Sequence, residues 1–385
     1  MKTNLKKLLY SGVTLMSLGV LAACSSTSSS TTTSSSAATS QTSVATISNN
    51  STSSDSSSST IDWSALPTTE VTLSNDGLKI TEGGTYILTG STTAGVTVET
   101  DANVRIILAG TEISSSDTAA INVINADNVE LEIKDGTTNT VKDTSNHTDT
   151  NIEGAIHVEA DLTITGNGSL TVEGNFQDGI VSTDDLVVNS GNITVTAVDD
   201  GIRGKDSLTI NGGTINVTAG GDGIKSTNDT DTTKGYTTIT GGDITVKAGD
   251  DAIKAETALT IDGGTITVPE SVEALEGTNI TINGGTIDVY GSDDAINASS
   301  TTSSDIYIKV TGGDLKVAVG SGDTDAFDAN GDIYISGGTI AVTAPTSAFD
   351  FDGTAELTGG TVTVNGEQIT QITATGPGAG GHGGW

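Results

Sequence analysis

A short acidic motif recurs along the second half of the chain at a nearly constant spacing. Its first copy is Asp178-Gly179-Ile180, and the acidic residue then returns after 22, 22, 29, 22, 21 and 31 residues. The acidic residues of the successive copies are Asp178, Asp200, Asp222, Asp251, Glu273, Asp294 and Asp325. Repeats of this length are typical of solenoids, in which each unit forms one coil that stacks on its neighbours. The repeating unit therefore has about 22 residues, with insertions in two of its turns.

A Gly-Gly pair keeps the same register as the acidic motif. It stands at Gly212-Gly213 and returns through the later units up to Gly359-Gly360. Around it, segments such as Leu208-Thr209-Ile210 alternate apolar and polar residues, which is the pattern of a strand with one buried face. Each unit thus contains three short strands and three turns, and a hairpin meander would not keep the same turn residues in phase. We predict an all-β fold, a single-stranded parallel β-helix.

The composition agrees with stacking and limits the possible partners. Only 34% of the residues are hydrophobic and 3% are aromatic, but stacked coils satisfy their backbone groups without a thick core. The chain has 15 Lys plus Arg against 49 Asp plus Glu, which gives a net charge of -34. Such a surface repels a phosphate backbone and attracts cations. We therefore exclude nucleic acid as a partner.

The two ends of the chain carry the signals of an exported, anchored protein. Residues 1–23 have the basic start and apolar stretch of a signal peptide, and Leu21-Ala22-Ala23-Cys24 matches the bacterial lipobox. The alternative is an ordinary signal peptide with an accidental cysteine. We expect residues 24–60 to form a disordered Ser/Thr-rich stalk, 61–375 the β-helix and 376–385 a Gly-rich flexible tail. We expect the protein on the extracellular face of the membrane, held there only by the lipid on Cys24.

Stacking places the acidic residues of the motif in a column. Two carboxylates about 4.8 Å apart repel by roughly 3 to 4 kcal/mol at an effective dielectric constant near 20. Ca²⁺ is the natural counterion because it takes six to eight oxygen ligands. The alternative is that each Asp bonds only its own turn. The predicted Ca²⁺ ligands are Asp178, Asp199, Asp200, Asp222, Asp250, Asp251, Asp293 and Asp294.

A cation follows three of the acidic residues at a spacing of three. These cations are Arg203, Lys225 and Lys254. Each neighbours an inward-facing Ile on a strand, so its side chain points outward beside the acidic column. Ca²⁺ and a Lys or Arg together suit the carboxylate of a uronate sugar, and we predict these three residues as ligand-binding. The alternative is that they only neutralise the neighbouring Asp residues.

Several motifs together resemble a family of bacterial surface β-helix proteins classed as carbohydrate-binding domains. The motifs are Gly83-Gly84-Thr85-Tyr86-Ile87-Leu88, Val104-Arg105-Ile106-Ile107-Leu108, Gly168-Ser169-Leu170, Asp200-Gly201-Ile202-Arg203 and Gly220-Gly221-Asp222-Gly223-Ile224-Lys225. The resemblance covers roughly residues 70 to 370. It implies a right-handed parallel β-helix related in shape to the pectate lyases, bound Ca²⁺, and affinity for acidic or cellulose-like polysaccharides without established turnover.

Three functional hypotheses follow. The first is a lipid-anchored, monomeric surface protein that binds acidic or cellulose-like polysaccharide with Ca²⁺ and has no enzymatic activity. The second is an adhesive spacer in which Ca²⁺ serves only stability. The third is a Ca²⁺-dependent polysaccharide lyase with Lys225 or Lys254 as its base. No recognisable catalytic motif includes a histidine, and the two tryptophans, Trp63 and Trp385, lie at the ends of the repeat, so we expect charge and hydrogen bonding to dominate recognition.

Overall fold

The computed structural model of this chain describes residues 61–322 and 324–375. The predicted signal peptide, Cys24, the stalk and the Gly-rich tail lie outside the described residues. None of the helices in the described residues has the length and apolar character of a membrane-spanning segment.

The described chain consists almost entirely of strands. A 3-10 helix at Trp63–Ala65 precedes them. The first nine strands are β1 (Thr68–Leu73), β2 (Leu78–Ile80), β3 (Gly84–Thr92), β4 (Val96–Glu99), β5 (Val104–Ser114), β6 (Ile121–Asn125), β7 (Asn128–Ile133), β8 (Thr138–Lys142) and β9 (Gly154–Val158). The next eleven are β10 (Asp161–Gly166), β11 (Ser169–Gly174), β12 (Asp178–Ser182), β13 (Asp185–Val188), β14 (Asn192–Ala197), β15 (Ile202–Gly204), β16 (Ser207–Ile210), β17 (Thr214–Ala219), β18 (Ile224–Ser226), β19 (Tyr236–Ile239) and β20 (Asp243–Lys247).

The remaining strands complete the repeat and close its end. They are β21 (Ile253–Ile261), β22 (Thr265–Glu270), β23 (Leu275–Ile282), β24 (Thr286–Gly291), β25 (Ile296–Ala298), β26 (Tyr307–Val310), β27 (Asp314–Val319), β28 (Asp325–Ala329), β29 (Asp332–Ile335), β30 (Thr339–Thr343), β31 (Ser347–Phe351), β32 (Ala355–Leu357), β33 (Thr361–Val364) and β34 (Glu367–Ile369).

The strands form three parallel sheets that run along the stack. In the middle of the chain each strand pairs in parallel with the strand three places further on, so β13, β14 and β15 pair with β16, β17 and β18. We call the sheets through β13, β14 and β15 the first, second and third faces. One coil contributes one strand to each face, which is the arrangement of a parallel β-helix. The predicted all-β solenoid is confirmed.

An unbroken apolar column on the third face shows how the repeat builds the core. Its members occupy equivalent positions of successive coils and are Ile180, Ile202, Ile224, Ile253, Leu275, Ile296, Phe327 and Phe349. All are buried, and the rings of Phe327 and Phe349 stack with centroids 5.3 Å apart. Full burial of each such side chain stabilises the fold by about 1.5 to 3 kcal/mol.

The two ends of the stack have different structures. At the start of the stack, β1 already pairs in parallel with β3, and β2 pairs with β4. Among the described residues, only 61–67 therefore precede the first coil strand. At the other end, β34 folds back and pairs antiparallel with β33, because the left-handed turn at Asn365 and Gly366 reverses the chain.

Candidate functional site

The repeated Asp residues form a hydrogen-bonded column at the start of the third-face strands. The backbone N–H of Asp200 donates to Oδ1 of Asp178 at 3.1 Å, and Asp222 and Asp251 repeat this bond to the preceding carboxylate at 3.0 and 2.9 Å. These four residues are 2 to 6% exposed. Further along, the N–H of Asp325 donates to Oδ1 of Asp294 at 2.7 Å. The carboxylates of Asp178, Asp200, Asp222 and Asp294 therefore each connect their own coil to the next.

The three predicted cations stand in one row beside this column. Arg203, Lys225 and Lys254 occupy equivalent positions of β15, β18 and β21. The guanidinium of Arg203 lies 2.8 Å from Oδ2 of Asp178 and also contacts Glu153. Thus Arg203 is shared by two carboxylates.

The two lysines of the row repeat this sharing. Nζ of Lys225 lies 2.6 Å from Asp200 and 3.0 Å from Asp222. Nζ of Lys254 lies 2.7 Å from Asp251 and contacts Glu276 as well. Three cations therefore face six carboxylates, which leaves the row negatively charged when all of these groups are ionised.

Burial and neighbouring charge shift the pKa values of this row in a consistent direction. Burial raises the pKa of Asp178 and of Asp251 to about 6 in spite of their basic partners. Burial and the neighbouring Asp251 carboxyl raise the pKa of Glu276 to about 7. For Lys225 and Lys254, burial opposes the charge, but the surrounding carboxylates outweigh it and raise the pKa. Both lysines are therefore held protonated.

One group of predicted Ca²⁺ ligands comes together closely enough to hold a cation. Oxygen atoms of Asp222, Asp250 and Asp251 lie within 4.8 Å of one another. Oδ1 of Asp251 is buried and accepts no hydrogen bond within the described residues, and Asp250 is exposed. Carboxylate oxygens with free coordination positions are what Ca²⁺ requires. These three residues fit a Ca²⁺ ion.

The other predicted ligands are less closely grouped. Backbone hydrogen bonds from Gly221 to Asp199 and from Asp250 to Gly221 place a glycine between the two exposed acids. Further along, the backbone N–H of Val272 donates to the carbonyl of Asp250, and the N–H of Asp293 donates to the carbonyl of Val272. An apolar residue therefore separates Asp250 from Asp293. The acids beside the main column therefore do not form a continuous second column, because only some coils carry Asp at that turn position.

The row on the third face changes from basic to acidic along the stack. After Lys254 the equivalent positions are occupied by Glu276, Asn297, Asp328 and Asp350. Burial, together with repulsion from neighbouring acids, raises the pKa of Asp328 to about 7. Within the described residues, no Lys or Arg forms an ion pair with Asp328 or Asp350. The basic half of the row is therefore followed by an acidic half.

A groove on the same side of the stack was not expected from the sequence. It has a volume of about 680 Å³ and lies between two inserted loops, residues 227–235 after β18 and 299–306 after β25. We call it the loop groove. Lys254 and Glu276 lie at its edge, and Tyr236, which is 38% exposed, lies on its floor. Its further lining consists of Asn228, Asp229, Asp231, Thr232, Thr233, Ala255, Glu256, Thr257, Ala258, Gly277, Thr278, Asn279, Ser299, Ser300, Thr301, Thr302 and Ser303.

The signal for this groove is present in the spacing of the acidic motif. The two long intervals, 29 residues from Asp222 and 31 residues from Asp294, are the coils that carry the two loops. In the two coils between them, β21 and β23 pass from the third face into the first as single continuous strands. Two long intervals separated by two short ones therefore indicate a depression with two walls.

Comparison with known proteins agrees with this architecture and gives the protein its family. Residues 74–326 match the family described as carbohydrate-binding domain-containing protein. This is well over half of the chain, and the chain belongs to that family. The resemblance recognised in its sequence motifs is confirmed.

A relative and a solved structure are similar over parts of the chain. A carbohydrate-binding domain-containing protein of Acetivibrio thermocellus is 33% identical over 135 residues, which are 33% of this chain and 47% of the relative. The chain thus matches about half the length of that relative. A solved structure, a polysaccharide lyase-like protein from C. thermocellum prepared as a gadolinium derivative, is 33% identical with a TM-score of 0.51. The match covers 52% of this chain and 90% of that protein.

Proposed function

We propose that this protein binds an acidic, uronate-containing or cellulose-like polysaccharide through Ca²⁺ ions held by its Asp column. We also propose that it does so as a monomer at the extracellular face of the membrane, anchored by a lipid on Cys24. The observation that carries the proposal is the grouping of Asp222, Asp250 and Asp251, in which Oδ1 of Asp251 is buried and accepts no hydrogen bond from the described part of the chain.

The excess negative charge of the third face supports the proposal that Ca²⁺ binds there. The three cations of the row are shared among six carboxylates, so they do not neutralise it. A Ca²⁺ ion takes six to eight oxygen ligands, and three Asp residues leave coordination positions for other oxygens. The carboxylate of a uronate sugar supplies such an oxygen. Recognition of an acidic polymer by an acidic surface is then possible because the metal lies between the two.

The protonated state of Lys225 and Lys254 supports a protein that binds polysaccharide without cleaving it. A lyase requires a base that removes the proton next to the uronate carboxylate, and a Lys performs this role when its pKa is lowered. Lys225 and Lys254 have raised pKa values because carboxylates surround them. The side chains next to the metal group are thus suited to hold a charge and not to accept a proton.

A structural spacer is the second candidate, and the Asp column itself favours it. The carboxylates of Asp178, Asp200 and Asp222 each bond the backbone of the next coil. The basic row also pairs with these same residues. Both contacts stabilise the stack whether or not a glycan is present. In this alternative, Ca²⁺ rigidifies the protein and confers no affinity for sugar.

Pull-down by insoluble polymers separates the candidates. The chain from residue 24 onward, carrying Cys24→Ser, is mixed with insoluble polygalacturonate or with cellulose, in Ca²⁺ and again in chelator. Retention on polygalacturonate that chelator abolishes supports the proposal. No retention on either polymer, with an intact circular dichroism spectrum, favours the spacer. Growth of ultraviolet absorbance from an unsaturated uronide product would overturn the absence of turnover.

A further inference from the structure

We infer that the loop groove is a second saccharide site, which binds an uncharged stretch of a glycan chain without metal. It deepens the proposed function, because it assigns the uncharged, cellulose-like alternative to the loop groove and leaves the acidic polymer to the Ca²⁺ ions of the Asp column. The inference rests on the shape of the groove, the rigidity of its walls, the chemistry of its floor and the sign of its charge.

The dimensions of the groove suit a short oligosaccharide. Its walls stand on β18 and β25, which are three coil steps apart, or about 14 Å. The two coils between them have no loop because β21 and β23 continue directly from the third face to the first. A volume of about 680 Å³ lies in the usual range for ligand sites, roughly 300 to 1,000 Å³.

The first wall is held in place by hydrogen bonds within its loop and to a turn of the preceding coil. The side chain of Asn228 is buried, donates to Oδ1 of Asp206 at 2.6 Å and accepts from the backbone N–H of Asp231 at 3.0 Å. Gly235 ends the loop at a φ of +70°, and a Cβ there would lie 2.4 Å from the carbonyl oxygen of Asn228. Only glycine suits this position, which fixes the return of the loop to β19.

The second wall is shorter and organised by serine side chains. Oγ of Ser300 accepts from the N–H of Ser303 at 3.0 Å, and Oγ of Ser303 accepts from the N–H of Asp305 at 3.1 Å. The N–H of Ser299 bonds the carbonyl of Gly277 at 3.1 Å on the neighbouring coil. Walls that are ordered in advance reduce the entropy lost when a ligand binds.

The floor combines an apolar ring with hydrogen-bonding groups. Tyr236 begins β19 and, by the register of that strand, lies beside the small residue Ala258, whose partner on the next coil is Asn279. The small side chain of Ala258 leaves space next to the tyrosine ring. Sugar rings present apolar faces and hydroxyl edges, and they therefore match an exposed aromatic side chain surrounded by Thr, Ser and Asn.

The charge of the groove selects against uronate sugars. Among the charged residues that line it, Asp229, Asp231, Glu256 and Glu276 are acidic and Lys254 is basic. Lys254 is already paired with Asp251 and Glu276. A carboxylate entering the groove without a metal ion would therefore be repelled, whereas an uncharged sugar would not.

Calorimetric titration with two oligosaccharides of equal length tests this inference. The chain from residue 24 onward with Cys24→Ser is titrated with cellohexaose and with hexagalacturonate, each in Ca²⁺ and in chelator. We expect cellohexaose to bind equally in both buffers and hexagalacturonate to bind only with Ca²⁺. Failure of cellohexaose to bind, or its dependence on Ca²⁺, overturns the second site. Failure of hexagalacturonate alone overturns only the function proposed for the Asp column.

A matched pair of tyrosine variants locates the neutral sugar. Tyr236→Ala should weaken cellohexaose binding about tenfold, or about 1.4 kcal/mol, because it removes the exposed aromatic ring of the groove. Binding of hexagalacturonate in Ca²⁺ should not change. Tyr290→Ala is the control because Tyr290 is equally exposed, at 36%, but lies on β24 of the second face. Equal effects of the two variants would place the neutral sugar outside the loop groove.

Discussion

Lys254 lies 2.7 Å from Asp251, three residues earlier in the chain, and Lys225 repeats this contact with Asp222 at 3.0 Å. The basic side chains of the third face are therefore bound into the column whose charge they offset. A ligand carboxylate that contacts these lysines must compete with buried Asp residues. Their contribution to stability can be measured separately from any contribution to binding.

Replacement of Lys225 by Ala should lower the stability of the metal-free protein. The substitution leaves Asp200 and Asp222 buried without their shared cation, and breaking a largely buried pair costs about 3 kcal/mol. Urea denaturation in chelator measures this loss. Lys316→Ala is the control, since Lys316 and Asp288 are both more than half exposed. This substitution should lower the free energy of unfolding by less than about 0.5 kcal/mol. Equal losses would mean that the carboxylates of the column are not desolvated.

The metal-free protein should become less stable as the pH rises from about 4 to about 7. Asp178 and Asp251 have pKa values raised to about 6 by burial, and Glu276 to about 7. The folded state therefore binds more protons than the unfolded state in this window, and stability falls as these protons are lost. For Asp178 the shift from 3.8 corresponds to about 3 kcal/mol.

Thermal denaturation in chelator at several pH values checks this dependence. The melting temperature should fall across the window, and Ca²⁺ should restore it at pH 7 because the metal replaces the lost protons. A melting temperature that rises with pH in chelator would contradict the burial of protonated carboxyls in the column. A fall that Ca²⁺ does not reverse would contradict the metal site.

The sequence predicts the repeat and the acidic column well because both depend on residues that recur in register. The acidic residue of each motif copy and the apolar residue two places later lie where the repeat predicts them, since parallel pairing keeps equivalent positions adjacent. The partners of the cations were less predictable. Lys225 bonds Asp222 of its own coil but also Asp200, and the second contact depends on the orientation of a side chain across the coil step.

The loop groove could not be read from the repeat because it results from two departures from it. The loops that begin near Asn228 and Ser299 are separated by about 70 residues in sequence and become the two sides of one depression only after stacking. The floor residue Tyr236 belongs to no recurring motif. Irregular intervals are therefore as informative as the repeat once the number of coils between them is counted.

Lipid attachment at Cys24 should determine where the protein is found. Cys24→Ser removes the thiol that the lipobox Leu21-Ala22-Ala23-Cys24 presents for acylation. We expect the protein that retains Cys24 in the membrane fraction of the producing bacterium and the Cys24→Ser variant in the soluble fraction or the medium. Labelling with a radioactive fatty acid measures the modification directly. Label that persists in the variant would contradict attachment at Cys24.

Asp250→Asn should weaken Ca²⁺ binding while leaving the metal-free fold unchanged. Asp250 is exposed and close to Asp222 and Asp251, so the substitution removes one negative ligand without breaking the column. The affinity of a Ca²⁺ site depends on the number of charged ligands, and we expect a loss of about tenfold. Titration calorimetry with Ca²⁺ gives the affinity, and melting in chelator tests the fold.

Asp199→Asn is the matched control for this change. Asp199 occupies the same turn position two coils earlier and is also exposed, but Gly221 separates it from Asp250, and no group of three acids forms around it within the described residues. Its replacement should leave the affinity for Ca²⁺ within about twofold, because it removes charge at a distance and no ligand. If both variants weakened Ca²⁺ binding equally, the metal would be held by the general negative charge of the column and not by Asp222, Asp250 and Asp251.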